Sequence, residues 1–151
     1  MLLVRASDCS AIAAMMPAYL RELTPDGPHQ YPHLARYFDD PKRFAWLIRD
    51  RDDNAGFVLV RNHADIASHE LAEFYVAPAS RRRGVGRDAA RTVFDLRPGW
   101  WHLQILADNR VAQAFWRSVL PATVHEQHRV APNGRAYSLL QFRWEGGADE
   151  R

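Results

Sequence analysis

"AEFYVAPASRRRGVGRDAARTVF", residues 72–94, decides how the rest of the chain is read. It opens on an aromatic, apolar run stopped by Pro78 and closes on Ala89, Ala90, Val93 and Phe94, which mark one face of a helix. Between them three arginines stand directly before a Gly-x-Gly. Glycines between a strand and a helix let consecutive backbone N–H groups converge on an anion. The helix start adds orphan donors and partial positive charge. With Arg81, Arg82, Arg83 and Arg87 around Gly84, Val85 and Gly86, the loop reads as a phosphate or pyrophosphate cradle. The plainer alternative is a strand-to-helix turn with solvated arginines. Gly-x4-Gly-Lys-Ser/Thr is absent, and the dinucleotide fingerprint lacks its third glycine and its acidic residue in register.

Composition bounds the answer. A chain of 151 residues is long enough for one domain with a proper core, expected over residues 1–145, with a flexible polar tail at 146–151. Its 47% hydrophobic and 25% charged content excludes a disordered chain. The apolar start is broken at Arg5, unlike a signal peptide, and no apolar run approaches transmembrane length. A single cysteine, Cys9, excludes an internal disulfide and suits a reducing cytoplasm. No Cys/His run has zinc-like spacing, so no metal is expected. A net charge of +2 is too small to argue for nucleic acid from the whole chain, so any basic function must be local.

Outward from the loop, the elements alternate. Residues 2–5 read as a strand. Ser7 or Asp8 caps a helix with Ile12, Met15, Met16, Tyr19, Leu20 and Leu23 on one face, which Pro17 should kink or split. "TPDGPHQYP" (24–32) is a turn-rich loop, followed by a short helical candidate around Leu34–Phe38. "RFAWLIRD" and "AGFVLVRN" form a hairpin about "RDDN", and residues 69–78 form a third strand. After the glycine-loop helix come a strand at 100–107, a helix capped by Asn109 and ended by Pro121, and two strands joined through Asn133-Gly134. This order makes an α/β sheet with helices on its faces.

Together with "LADNRVAQAFWRSV" (106–119), the opening stretch resembles the GCN5-related N-acetyltransferase (GNAT) superfamily. The family's Arg/Gln-x-x-Gly-x-Gly/Ala loop reads here Arg81-x-x-Gly84-x-Gly86. Its Asn-x-x-Ala-x-x-aromatic-aromatic element reads Asn109-x-x-Ala112-x-x-Phe115-Trp116. Within the superfamily the chain is similar to a group of uncharacterised bacterial acetyltransferases, which names no substrate. The resemblance implies a mixed, mostly antiparallel twisted sheet of six to seven strands with about four helices. It also implies acetyl-CoA as co-substrate. The backbone of Arg81 to Arg87 would hold its pyrophosphate, and main-chain groups of Phe74, Tyr75 and Val76 would pair with the pantetheine arm. Asn109 would bond that arm, with Ala112 and Phe115 lining it beside Trp116.

Acetyl transfer to an amine needs close placement of thioester and amine, a base, and a donor for the oxyanion. Cys9 lies outside both motifs, so direct attack in a ternary complex is expected, with a backbone N–H near Phe74 or Val76 as oxyanion donor. Glu70 and Glu73 are the candidate bases, on opposite strand faces; for each the alternative is an ion pair to an arginine. Many family members carry Tyr where Trp116 stands, as the acid for the leaving thiolate, and some carry Glu where Gln104 stands; an indole is no practical proton source. Tyr75, Tyr137 and His128 are the remaining acids. The 24–32 loop and the terminal hairpin should form the acceptor pocket, with His29, Tyr31, Trp46 and His128 as contacts. Expected partners are acetyl-CoA and an amine, without a membrane and with nucleic acid disfavoured; a homodimer is allowed for. The rival readings are a CoA-binding module with little turnover and a nucleic-acid binder using the arginine run.

Overall fold

The computed structural model describes residues 1–27 and 29–146. Its elements are β1 (Leu2–Arg5), α1 (Ser10–Leu23), α2 (Arg36–Asp39), β2 (Arg43–Asp50), β3 (Asp53–His63), β4 (Ser68–Val76), α3 (Val85–Leu96), β5 (Gly99–Leu106), α4 (Arg110–Val119), β6 (His125–Val130) and β7 (Ala136–Trp144). The strands form one sheet in the order β1-β2-β3-β4-β5-β7-β6. β4 and β5 are parallel, whereas β1–β2, β2–β3, β5–β7 and β6–β7 are antiparallel. This is the mixed, mostly antiparallel sheet the sequence led us to expect. The chain divides into two compact units. One comprises Met1–Arg61 with Glu73–Ala89, the other Asn62–Ala72 with the chain from Ala90 onward. Apart from Gly146, the expected tail lies outside the described residues, as does Pro28 in the 24–32 loop.

In the first unit, α1 buries Ile12, Met16 and Tyr19, which recur at helical spacing. Tyr19 sets its ring edge-on to Phe57 of β3 at 5.4 Å and to Tyr75 of β4 at 5.6 Å. Two expectations fail here. Neither Ser7 nor Asp8 is the cap residue: the helix begins one turn position later, with Cys9 at its N-cap, and Asp8 Oδ1 instead accepts from the N–H and hydroxyl of Ser10. Pro17 does not split the helix, which is one element from Ser10 to Leu23. The acceptor that Pro17 leaves without its amide is the carbonyl of Ala13, an exposed residue whose oxygen water can serve.

The β2–β3 hairpin closes through Arg51-Asp52, with Arg51 at φ +59°, and residues 55–60 of β3 are buried without interruption. Gly56 allows this strand to meet β4. A Cβ there would stand 1.9 Å from the carbonyl oxygen of Tyr75, and Ala77 N–H donates to Ala55 O at 2.7 Å just beyond.

The second unit is organised by Phe94. Its ring centroid lies 4.9 Å from that of Trp101, 5.1 Å from Phe142, 5.0 Å from Trp144 and 6.2 Å from Trp116. Trp101 Nε1 donates to Arg97 O, and Trp144 Nε1 to Asp95 Oδ1, so both indoles are satisfied as well as packed. At the β6–β7 hairpin Gly134 has φ +86°, the left-handed conformation that made Asn133-Gly134 legible as a turn. Asn109 caps α4 through Oδ1, which accepts from Ala112 N–H at 3.1 Å.

Gly56→Ala should destabilise the protein by about 3 kcal/mol, because a backbone carbonyl cannot swing aside, and lower the melting temperature by roughly 10 °C. Asn109→Ala should cost about 1 kcal/mol through the lost cap alone. Thermal denaturation of the two variants checks both values.

Candidate active site

β4 carries both candidate bases and runs directly into the glycine loop. Pro78–Ser80 form a 3-10 turn, Arg81 is extended, and Arg82 and Gly84 take positive φ of 65° and 79° on either side of Arg83. Alternation of this kind turns successive N–H groups toward one side, the arrangement of an anion nest. The carbonyl of Gly84 accepts from Asp88 N–H at 3.0 Å, the first bond of α3, leaving the first-turn N–H groups outside the helical pattern. Val85 is buried, so only its backbone faces the loop.

The arginines divide. Arg81 Nε donates to Val76 O at 2.7 Å, and its Nη2 donates to both Glu22 oxygens at 2.7 and 3.0 Å, bracing the end of β4 against α1. Arg83 donates to Asp50 Oδ2 at 2.6 Å. Arg82 and Arg87 are exposed and make no ion pair among the described residues.

Glu73 lies in the first unit. Its Oε1 accepts from Tyr19 Oη–H at 2.6 Å. Tyr31 and Tyr37 lie near Glu73 as well, so three phenols stand about one carboxylate. Burial first, and then the adjacent negative charge, push the Tyr19 and Tyr31 hydroxyls well above the ordinary tyrosine range. Tyr37 is raised by burial too, partly offset by its bond from Tyr31. All three are donors at neutral pH. Phe74 N–H is directed at the Tyr19 oxygen. Tyr37 also lines a cavity of about 330 Å³ with Arg5, Asp39, Asp40 and Arg43. His29 has its Nε2 buried with no hydrogen-bond partner among the described residues.

Glu70 lies in the second unit and is half-buried. Its Oε1 is 2.7 Å from Nε2 of His63 at the end of β3. Across the parallel pairing Glu70 is in register with His102 of β5, whose Nδ1 is 2.8 Å from Ser68 Oγ. The rings of His63 and His102 lie 5.1 Å apart. Also in this unit, Trp116 is 6% exposed and packs on Phe94 and Phe115, so its indole belongs to the core. Ala112 and Phe115 are half-buried, and Gln104 is exposed. His128, expected at the acceptor, has an 83% exposed side chain near Glu126 and Ser138. Trp46 and Tyr75 are buried in the first unit; Tyr137 is half-buried in the second.

Sequence reasoning separated Glu70 from Glu73 correctly by face, but missed their partners. His63, Ser68 and His102 were not singled out, because no spacing along the chain links them. The register of β3, β4 and β5 does. Tyr19 was read only as a core position; its hydroxyl is invisible to a periodicity argument.

Comparison with known proteins gives the same architecture. Tetrahymena GCN5 superposes with a TM-score of 0.67 at 14% identity, covering 99% of each chain. Aminoglycoside 6'-acetyltransferase type Ii gives 0.68 at 15% identity over 95% of this chain and 97% of that one. A putative GNAT-family acetyltransferase from Desulfovibrio desulfuricans gives 0.70 at 16% identity over 94% and 98%. No curated protein matches the chain significantly. The acetyltransferase (GNAT) family matches residues 12–120, most of the chain, and these carry both the glycine loop and the Asn109 element. The chain therefore belongs to the GNAT family of acetyltransferases.

Proposed function

We propose that the protein is an acetyl-CoA-dependent N-acetyltransferase that moves the acetyl group to a primary amine, of a small molecule or a protein, by direct attack in a ternary complex. The observation that carries this reading is the 2.7 Å pairing of Glu70 with His63 on the strand that leads into the glycine loop. A carboxylate set against an imidazole can take a substrate proton, directly or through water. Glu73 is the second candidate base, since Tyr19 already donates to it at 2.6 Å. Its role is to hold the tyrosines in place.

The cofactor's pyrophosphate is assigned to the N–H groups of residues 84–87, reinforced by the α3 terminus and by the free guanidiniums of Arg82 and Arg87. Arg81 and Arg83 act at one remove, holding the loop to Glu22 and Asp50. That engagement also weakens the nucleic-acid reading, which needs the arginine run free. Main-chain groups of residues 74–76 meet the pantetheine arm, but Val76 O is already taken by Arg81. For the oxyanion, a backbone N–H near Phe74 or Val76 is the proposed donor. Asn109 accepts the α4 cap bond at Oδ1 and has its amide donors for a ligand. The orphaned Nε2 of His29, with Tyr31, supports the 24–32 loop as the acceptor wall. The cytoplasm is the proposed location, although what is observed is that no helix among the described residues is long and apolar enough to cross a membrane. Buried Trp116 and the non-basic Gln104 favour, as second reading, a module that binds CoA with little turnover.

Thiol release from acetyl-CoA with a panel of primary amines separates the two: turnover supports transfer, and binding without turnover on any amine supports the module. Glu70→Gln should lower kcat by about 10²- to 10⁴-fold and leave acetyl-CoA binding intact. Glu73→Gln should act mainly on the melting temperature; the reverse pattern would move the base to Glu73. No described atom lies within 4 Å of a Cβ added at Gly84, so within the protein Gly84→Ala meets only the backbone strain of φ +79°, roughly 1 kcal/mol. A loss of acetyl-CoA affinity beyond tenfold would therefore come from blocked approach of the ligand. Unchanged affinity in a calorimetric titration would remove the cradle.

A further inference from the structure

His63, Glu70 and His102 stand on three neighbouring strands, and one donor atom from each lies within 4.8 Å of the others. We propose that these residues form a binding site for a divalent transition ion of the zinc class. Two imidazoles with one carboxylate suit such an ion, whereas an all-oxygen set would suit magnesium or calcium. Three protein ligands leave a coordination position for water or substrate. The site is built before an ion arrives. His63 and Glu70 already touch at 2.7 Å, Glu70 and His102 share a register position, and Ser68 Oγ fixes the His102 ring through Nδ1 at 2.8 Å. An outer partner of that kind is what orients metal-ligating histidines. The His63 and Glu70 side chains are 26% and 18% exposed, open enough for entry yet partly desolvated.

Binding exchanges the His63–Glu70 hydrogen bond for two bonds to the ion, with the His63 proton carried on Nδ1. The carboxylate is then no longer available to take a proton from an amine. Zinc should therefore inhibit acetyl transfer, a consequence that rests on Glu70 being the base; the binding itself does not.

The test is calorimetric titration of the full chain with Zn²⁺ alone, beside the thiol-release assay. One equivalent should bind, weakened roughly 10- to 100-fold in each of His63→Gln and His102→Gln, with folding checked by thermal melts. Cys9→Ser and His125→Ala, which alter other exposed donors, should bind as the parent does. Absence of binding up to millimolar Zn²⁺, or affinity unchanged in either glutamine variant, overturns the site. Binding that needs both histidines while acetyl transfer runs undiminished supports the site and removes Glu70 from the chemistry instead.

Discussion

The side-chain period of two along β4 is the constraint from which the site follows. It places Glu70 and Glu73, three positions apart, on opposite faces, and each face supplies its glutamate with a different chemistry. Glu73 meets α1 and the residues after it, where Tyr19 donates to it and Tyr31 lies near. Glu70 meets the ends of the neighbouring strands and an imidazole. Two residues of one type, on one strand, are thus given different partners, a phenol for one and an imidazole for the other. A slip of one residue in the register of β4 would turn each to the opposite face and remove both sets of partners.

The same strand is fixed at its far end by backbone geometry. Gly56 admits the Tyr75 carbonyl where any side chain would exclude it, and Arg81 holds the carbonyl of the next residue while reaching Glu22. The glycine loop leaves the sheet from this anchored point. Its basic character consequently splits into arginines that secure the loop and arginines that remain exposed for an anion, a division fixed by the positions of Glu22 and Asp50.

Much of this was legible in the residues. The 72–94 stretch gave strand, loop and helix in order because aromatic runs, proline, glycine and helical spacing act locally. Asn109 and Asn133-Gly134 were legible for the same reason: a cap and a left-handed turn need only near neighbours. The start of α1 differs because Asp8, one residue ahead of the N-cap, accepts from the N–H and hydroxyl of Ser10, and the effect of Pro17 depends on whether water can serve the freed carbonyl. Trp116 and His128 stood in motif or loop positions, yet one is core and the other solvent-facing, which short-range pattern does not distinguish.

The sequence by itself determined the family, the order of elements, the glycine turn between β4 and α3 and the opposite facing of the two glutamates, all consequences of interactions within a few residues along the chain. Only the tertiary structure decided which arginines are spent, that phenols serve Glu73, and that His63, Glu70, Ser68 and His102 meet. Those pairings depend on strand register and on contacts between distant segments, which the hydrophobic core sets and no local spacing records.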